Sequence, residues 1–297
     1  MKAAERGFLL LSSHLGDMQR RPLTTAQLRT LARRMQAVER TDADRDVAAA
    51  DLVSLGYSWE MAAGIVALLS EERLLNGYLK RAAACDCVPV TRISDGYPLL
   101  LRKRLGLDSP GCLWLKGDAS LLNQPAVALV GSRDLSDSNA AFAAEVGRQA
   151  ALQGYVLVSG NARGADRTAQ DACLAAGGQV ISVVADELIR HPHRERVLYV
   201  SEDGFSEEFS TQRALSRNRI IHALGLKTFV AQSSLKMGGT WDGTVKNLRG
   251  GWSEVYCFRD GSEAMILLEQ MGANLIGVAE LAAFYDLPQK EENLFDR

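Results

Sequence analysis

The feature that most constrains the fold of this chain is an apolar run that ends abruptly at small and basic residues. Residues 126–130 are all apolar, and Gly131, Ser132 and Arg133 follow them directly. A short apolar run bounded by turn residues is typical of a strand buried on both faces of a parallel sheet. The sequence therefore predicts a buried strand and a turn suited to an anion, since the turn offers backbone N–H groups, a hydroxyl and a guanidinium before a helix.

The same design recurs about thirty residues further along the chain. An apolar segment at 155–158 runs into Ser159 and Gly160, with Arg163 and Gly164 beyond them. Ligands of open α/β sheets bind just outside the carboxyl ends of the strands. We therefore expect the two turns to lie side by side around one crevice.

Strand and helix patterns alternate along the middle of the chain. The predicted strands cover 88–91, 126–130, 155–159, 179–185, 227–231 and 254–258, and the predicted helices cover 137–153, 165–176 and 211–224. Repeated strand–helix–strand units form right-handed crossovers in a parallel sheet. The predicted fold is α/β, a Rossmann-like open, mostly parallel sheet with helices on both faces.

Residues 1–84 carry apolar side chains at helical spacing and no strand signal. We predict three domains, namely a helical domain at 1–84, a Rossmann-like domain at 85–277 and a short C-terminal tail at 278–297. Small helical bundles contact protein or DNA or only support a fold, and the sequence leaves these roles open. The basic residues of this region include Arg20, Arg21, Arg33 and Arg34, which we expect to be solvated.

The composition excludes several classes of protein. The chain has no run of about eighteen apolar residues and no signal-peptide pattern, so we expect a cytoplasmic protein without a membrane segment. Its five cysteines lack a disulfide spacing, and its four histidines do not form a ligand set, so no metal site is expected. Because the net charge is −2, any nucleic acid must bind to a local patch.

Two later segments carry further anion-binding chemistry. The start of a predicted helix holds a cluster of polar side chains, namely Arg213, Arg217, Asn218 and Arg219. Cations are favoured at the C-terminus of a helix, so arginines near its N-terminus indicate a bound anion, although a solvated helix start is the simpler alternative. A third candidate phosphate turn contains Gly238, Gly239 and Thr240.

Five short motifs occur at 130–133 (VGSR), 159–166 (SGNARGAD), 216–221 (SRNRII), 238–240 (GGT) and 272–276 (GANLI). In this order and spacing they resemble the DprA/Smf DNA-processing family. Residues 1–84 are similar to that family's small sterile-alpha-motif-like domain. Asn161 and Gln170 depart from the family pattern, which indicates a divergent member.

The resemblance implies a protein without catalytic activity that binds single-stranded DNA, assists RecA loading in recombination or DNA uptake, and forms a homodimer. Phosphates held by turns and guanidiniums give affinity without sequence readout. The candidate DNA- and phosphate-binding residues are Gly131, Ser132, Arg133, Ser159, Gly160, Arg163, Gly164, Arg217, Asn218, Arg219, Gly238, Gly239 and Thr240.

Two other functions use similar phosphate turns. Nucleotide hydrolases of the lysine-decarboxylase-like (LOG) family share a core of this kind. Their chemistry needs a glutamate three residues after a glycine-threonine pair. Here Asn247 stands at that position after Gly243-Thr244. A sensor of a small nucleotide needs no catalytic residue and stays open. The chain lacks a G-x-G-x-x-G turn, so a nicotinamide cofactor is not expected, and we predict no cofactor.

Overall fold

The computed structural model describes residues 1–17, 19–36, 46–202 and 204–288. Helices of the N-terminal part are α1 (Ala3–Ser12), α2 (Thr25–Gln36), α3 (Ala49–Ser54), α4 (Trp59–Ser70) and α5 (Glu72–Ala84). Those that follow are α6 (Leu99–Leu105), α7 (Asp137–Leu152), α8 (Ala165–Ala175), α9 (Thr211–Leu224), α10 (Gly238–Gly250) and α11 (Glu263–Gln270). In the described ranges, no helix has the length and apolar character to span a bilayer.

One sheet organises the described part of the chain. Its strands are β1 (Val88–Thr91), β2 (Cys112–Lys116), β3 (Ala126–Val130), β4 (Val156–Ser159), β5 (Val180–Val183), β6 (Val197–Ser201), β7 (Lys227–Val230), β8 (Glu254–Phe258) and β9 (Asn274–Ile276). They lie in the order β1-β2-β6-β5-β4-β3-β7-β8-β9. The pairs β1–β2 and β2–β6 are antiparallel, and the other pairs are parallel.

The central strand β3 is buried on both faces, as its apolar run predicts. Val127 packs in the core that α7 and α8 cover, where Phe142 lies, whereas Ala128 packs in the core on the opposite face, where Ile220 of α9 lies. Successive side chains of a strand point to opposite faces, so an all-apolar strand requires helices on both sides. The predicted α/β fold with a mostly parallel sheet is confirmed.

Three strands, β2, β6 and β9, were not among those predicted. β6 is fully buried and lies parallel to β5 and antiparallel to β2, and β9 is a three-residue strand beside β8. The apolar run of β6 is itself a strand signal, but it follows the basic loop at 190–196 instead of a helix. It therefore falls outside the regular strand–helix alternation used for the prediction.

The N-terminal helices divide between two cores. Leu9 of α1 and Tyr78 of α5 pack in the same core as Trp114 of the sheet, and the Tyr78 and Trp114 rings meet edge to face with centroids 5.2 Å apart. Helices α2 to α4 contribute to a separate small core that includes Leu31 and Ile65. The boundary between residues 84 and 85 stays a prediction, because part of the helical region shares the core of the sheet.

Arg20 is buried, and its predicted solvation is wrong. Its guanidinium donates hydrogen bonds to the carbonyl oxygens of Leu10 and Ser13 and forms an ion pair with Glu71. These carbonyls lie at the end of α1, where backbone oxygens lack partners within the helix. Arg20 therefore caps α1 and ties it to the start of α5.

The C-terminal tail is partly ordered against the core. Leu281, Phe284 and Leu287 are buried, and the Phe284 ring packs on Phe229 of β7 with centroids 4.8 Å apart. The Gln153 side chain donates to the carbonyl of Leu281 at 2.9 Å and accepts from the Phe284 N–H at 2.7 Å. The rest of the predicted tail, residues 289–297, lies outside the described residues.

A buried histidine predicts how stability depends on pH. His222 is fully buried, its Nδ1 accepts a hydrogen bond from the Asn247 amide at 3.1 Å, and burial lowers its pKa to about 3. The unfolded chain therefore binds a proton below about pH 6.5 that the folded chain does not bind. We expect this residue alone to reduce the free energy of unfolding by about 1.4 kcal/mol per pH unit as the pH falls below about 6.

Denaturant unfolding of the wild-type protein and His222→Gln at pH 7 and pH 5 measures this effect. The wild type should lose more stability than the variant over that interval. Equal losses in the two proteins would show that His222 is not held neutral in the folded state.

Candidate anion-binding cleft

The strand order places a cleft at the centre of the sheet. From β3 the chain continues to β4, β5 and β6 on one side, and it returns to place β7, β8 and β9 on the other. In open α/β sheets, a reversal of this kind marks the crevice where ligands bind, outside the carboxyl ends of the strands. Here a cleft of about 430 Å³, which we call the first cleft, lies between the loop after β3 and the N-terminal parts of α9 and α10.

Most of the predicted site residues come together at this position. Those lining the first cleft are Gly131, Ser132, Arg133, Arg217, Asn218, Gly238, Gly239 and Thr240. Gly160 and Arg163 line a shallower side cleft of about 250 Å³, to which Arg133 and Arg217 also contribute. Segments that are more than a hundred residues apart in the sequence therefore meet around two arginines.

Three predicted residues do not line either of these clefts. Ser159 is fully buried, and its Oγ accepts a hydrogen bond from Gln170 Nε2 at 2.6 Å. Gly164 lies beneath the loop after β3, against the carbonyl oxygens of Ser132 and Arg133. Arg219 forms an ion pair with Glu202 on another side of α9, because two helical positions correspond to a rotation of roughly 200° from Arg217.

Arg133 is the exposed cation of the first cleft. Within the described parts of the chain its guanidinium forms no hydrogen bond and no ion pair. Arg163 differs, because it pairs with Asp134 at 2.6 Å and both side chains are largely exposed. The donors of Arg133 are therefore available to a ligand, whereas Arg163 must first break a weak surface ion pair before it can bind a ligand.

Arg217 places a second positive charge at the floor of the cleft. Its Nη1 donates to the Val183 carbonyl at 2.7 Å, its Nη2 lies 3.9 Å from the Asp166 carboxylate, and its buried Nε has no partner in the described residues. Burial lowers the pKa of Arg217 and raises the pKa of Asp166, although each charge favours the other. A guanidinium stays protonated in proteins, so the floor of the cleft remains cationic.

Gly160 is required by the position of Arg217. A Cβ atom at this residue would lie 1.5 Å from Arg217 Nη1. No side chain fits in that space, so the glycine allows the guanidinium to lie flat against the turn after β4. The small residues of the second turn therefore position a cation instead of surrounding a ligand directly.

One expectation about backbone donors is wrong. The Ser132 N–H donates to the Gln232 carbonyl at 3.0 Å, so it is not available to an anion. Its partner belongs to the segment that continues alongside from β7. The N-terminus of α10 is the better donor, because it begins at Gly238 with no side-chain cap and no acidic residue in its first turn.

The interpretation of Arg213 as an anion ligand is also wrong. Its Nη1 donates to the carbonyl oxygens of Ala185, Glu207 and Glu208 at 2.6–2.9 Å, and its Nη2 donates to Ser201 Oγ at 3.1 Å. Backbone carbonyls therefore take the place of the anion that its position in the helix suggested. Arg213 fixes the segment around Glu207 and Glu208 to the sheet.

An apolar rim that no sequence pattern predicts lies along the first cleft. Phe209, Leu215 and Met237 line it and expose 54%, 41% and 69% of their surface, respectively. Large apolar side chains that remain exposed beside a cationic floor suit a ligand with both charged and apolar parts. These residues belong to no motif, so only their position reveals them.

The residues near the first cleft do not supply the carboxylate that the hydrolase alternative needs. The position three residues after Thr244 is Asn247, which is fully buried and bonded to His222 and Ser253. Asp166 is buried beside Arg217. In the described residues, no group of three or more histidine, cysteine or acidic side chains is placed to hold a metal ion.

Comparison with known families decides the relationship. The family model for DNA recombination-mediator protein A matches residues 89–246, which is more than half of the chain. The chain belongs to this family. The matched region contains both phosphate turns, the 216–221 motif and the start of α10, so the resemblance seen in the sequence is confirmed.

Curated relatives and a solved structure agree with this membership. The chain is 34% identical over 160 residues to DNA processing protein DprA of Streptococcus pneumoniae, which covers 49% of this chain and 54% of the relative. It is 28% identical over 235 residues to DprA of Bacillus subtilis, covering 73% and 76%. The first alignment thus spans about half the length of the relative. The crystal structure of S. pneumoniae DprA superposes with a TM-score of 0.71 at 25% identity, covering 93% of this chain and 95% of that one.

A second solved structure shares the fold. DNA processing protein A of Helicobacter pylori, studied for its single-stranded DNA binding mode, matches with a TM-score of 0.54 at 21% identity, and the match covers 66% of this chain and 94% of that one.

Proposed function

We propose that this DprA-family protein binds the phosphate backbone of single-stranded DNA in the first cleft, without reading its sequence. The observation that carries the proposal is the pairing of a cationic floor with an exposed apolar rim. Arg133 and Arg217 supply the charge, and Phe209 is the aromatic member of the rim. Single-strand binders combine a basic track for phosphates with platforms on which bases stack.

The phosphate side of the site rests on three positive groups. Arg133 is exposed and without an ion-pair partner in the described residues, and Arg217 supplies a positive charge at the floor of the cleft. The uncapped start of α10 adds backbone N–H groups and the positive end of a helix dipole. Contacts of this kind fix the position of a strand but carry no sequence information.

The base side of the site rests on the apolar rim. Phe209 lines both the first cleft and the side cleft, so a base can stack on its ring while a neighbouring phosphate contacts Arg133. Stacking on an aromatic side chain is worth about 1–3 kcal/mol per base and tolerates any sequence. This supports DNA as the ligand over a free anion, which needs no apolar surface.

Family membership supports the wider role. The H. pylori neighbour is described by its single-stranded DNA binding mode, and the curated relatives are DNA processing proteins. In this role the protein acts in the cytoplasm as a homodimer and assists the loading of RecA onto the bound strand. It carries out no chemical step.

Arg133→Ala is expected to weaken oligo(dT) binding on the order of tenfold at low salt. It should also reduce the magnitude of the slope of log K against log salt concentration by about 0.7, which is the contribution of one phosphate contact on a single strand. Its stability should change little, because the side chain is exposed and unpaired. The matched control is Arg148→Ala, which removes an exposed arginine that pairs with Glu145 on α7 and lies outside the cleft. Fluorescence anisotropy across a salt series measures both effects.

Three outcomes separate the possible functions. Absence of oligo(dT) binding by the wild-type protein at low salt contradicts the proposal. Release of free base from nucleoside monophosphates supports a LOG-like hydrolase, and saturable nucleotide binding without DNA binding supports a sensor.

A further inference from the structure

A second and larger cleft lies beside the first. Its volume is about 1140 Å³, and it separates α2 of the N-terminal helices from α9 and α10 of the sheet domain. Residues 107–111 and the half-buried Trp252 also line it. None of the predicted site residues except Arg219 lines this second cleft.

The second cleft is basic. Two carboxylates, Asp108 and Glu202, line it, and they are outnumbered by five cationic side chains, namely Arg29, Arg33, Arg219, Lys246 and Arg249. Some of this charge is neutralised, because Arg219 pairs with Glu202 and Lys246 pairs with Asp242 at 2.7 Å. The excess of positive charge therefore comes from the remaining three arginines.

Those three arginines are exposed and form no ion pair within the ranges that the structure describes. Arg29 and Arg33 are four residues apart on α2, so they lie on one face of the helix and both contribute to the cleft. Arg249 faces them from α10. Unpaired cations on two opposing walls fit a polyanion that passes between them.

The two clefts are adjacent. Leu215 lines both of them, and α10 runs along both, with Thr240 at the first cleft and Arg249 at the second. Nine residues of helix correspond to about 14 Å. A strand whose phosphates occupy the first cleft therefore meets a second set of cations within a few nucleotides.

We propose that the second cleft holds the continuation of the same single strand, so that α2 is part of the DNA-binding track. This rests on the proposed function of the first cleft and gives the N-terminal helices a direct role in it. The charge favours a phosphate backbone, and the closeness of the first cleft favours the same molecule over an acidic protein. Trp252 provides a surface for a base at this end.

Oligonucleotide length separates the two clefts in an experiment. A (dT) oligomer of about 4 nucleotides, at the low end of single-strand site sizes, fits the first cleft, whereas one of about 20 nucleotides reaches the second. The double variant Arg29→Ala/Arg33→Ala should weaken binding of the long oligomer on the order of tenfold. It should also reduce the magnitude of the slope of log K against log salt concentration by about 1.4, the contribution of two phosphate contacts. Binding of the short oligomer should not change. Arg29→Lys/Arg33→Lys should retain most of the affinity for the long oligomer.

Arg73→Ala is the control, because Arg73 is an exposed arginine of α5 that lines neither cleft. If the wild-type protein binds both oligomers and the double alanine variant binds the long one equally well, the second cleft is not part of the track. Equal weakening of short and long oligomers also overturns the inference. Failure of the wild-type protein to bind either oligomer contradicts the proposed function itself.

Discussion

Gly164→Ala is expected to abolish binding of single-stranded DNA and to destabilise the fold. Gly164 has φ = +84°, a conformation that other residues rarely adopt, and a Cβ atom here would lie 2.3 Å from the Arg133 carbonyl oxygen and 2.5 Å from that of Ser132. The strained backbone alone costs about 1–3 kcal/mol. The clash adds to this, because both neighbours are backbone atoms of the loop that carries Arg133.

Gly154→Ala is the matched control for this substitution. Gly154 also has a positive φ, +75°, but a Cβ atom there meets no other atom within 4 Å. The two variants share the backbone strain, and only Gly164→Ala displaces the loop after β3. Urea unfolding and oligo(dT) anisotropy should therefore show a moderate loss of stability with normal binding for Gly154→Ala, and a larger loss with no binding for Gly164→Ala. Normal DNA binding by Gly164→Ala would refute the assigned role of this loop.

Arg217→Met is expected to lower the free energy of unfolding by about 3–5 kcal/mol at neutral pH, because it leaves the buried Asp166 carboxylate without its cation. Without Arg217 the pKa of Asp166 rises further above its value in the unfolded chain. A group with a raised pKa in the folded state destabilises the fold above that pKa and ceases to do so when it is protonated. The loss should therefore shrink as the pH falls.

Asp166→Asn/Arg217→Met separates stability from binding. The double variant removes both buried charges and keeps an oxygen to accept from the Ala162 N–H, so it should be more stable than Arg217→Met. DNA affinity should remain low in both variants, because neither carries the cation at the floor of the first cleft. Chemical unfolding of the wild type, Asp166→Asn, Arg217→Met and the double variant gives the coupling energy between the two side chains. Recovery of DNA affinity in the double variant would show that Arg217 acts only through the fold.

The sequence predicts the parts of this protein that depend on local patterns. The apolar run of β3 and the small residues after it identify the central strand and its turn, and alternation of strands and helices gives the fold class. Most of the candidate residues meet at the first cleft because parallel strands end at the same edge of the sheet. That argument requires only the order of the elements.

The sequence does not show which partner each polar side chain contacts. Arg213, Arg217 and Arg219 lie within seven residues of one another, yet one binds carbonyls, one lies at the floor of the first cleft and one pairs with Glu202. The direction in which each side chain leaves the helix and the position of distant loops determine which partner each arginine contacts. The same holds for the basic face of α2, which borders a cleft only because the fold places α2 across from α9 and α10.

The position of β3 has a consequence for synthesis of the chain. One neighbour, β4, pairs through Ala128 and Val158, but the other, β7, pairs through Ala128 and Thr228, a hundred residues later. Chains emerge from the ribosome N-terminus first, and contacts between distant segments form slowly. Until residues 227–230 emerge, β3 presents an open apolar edge of the kind that promotes aggregation. The nascent protein therefore completes its candidate anion-binding cleft only after residues 227–240 have been translated.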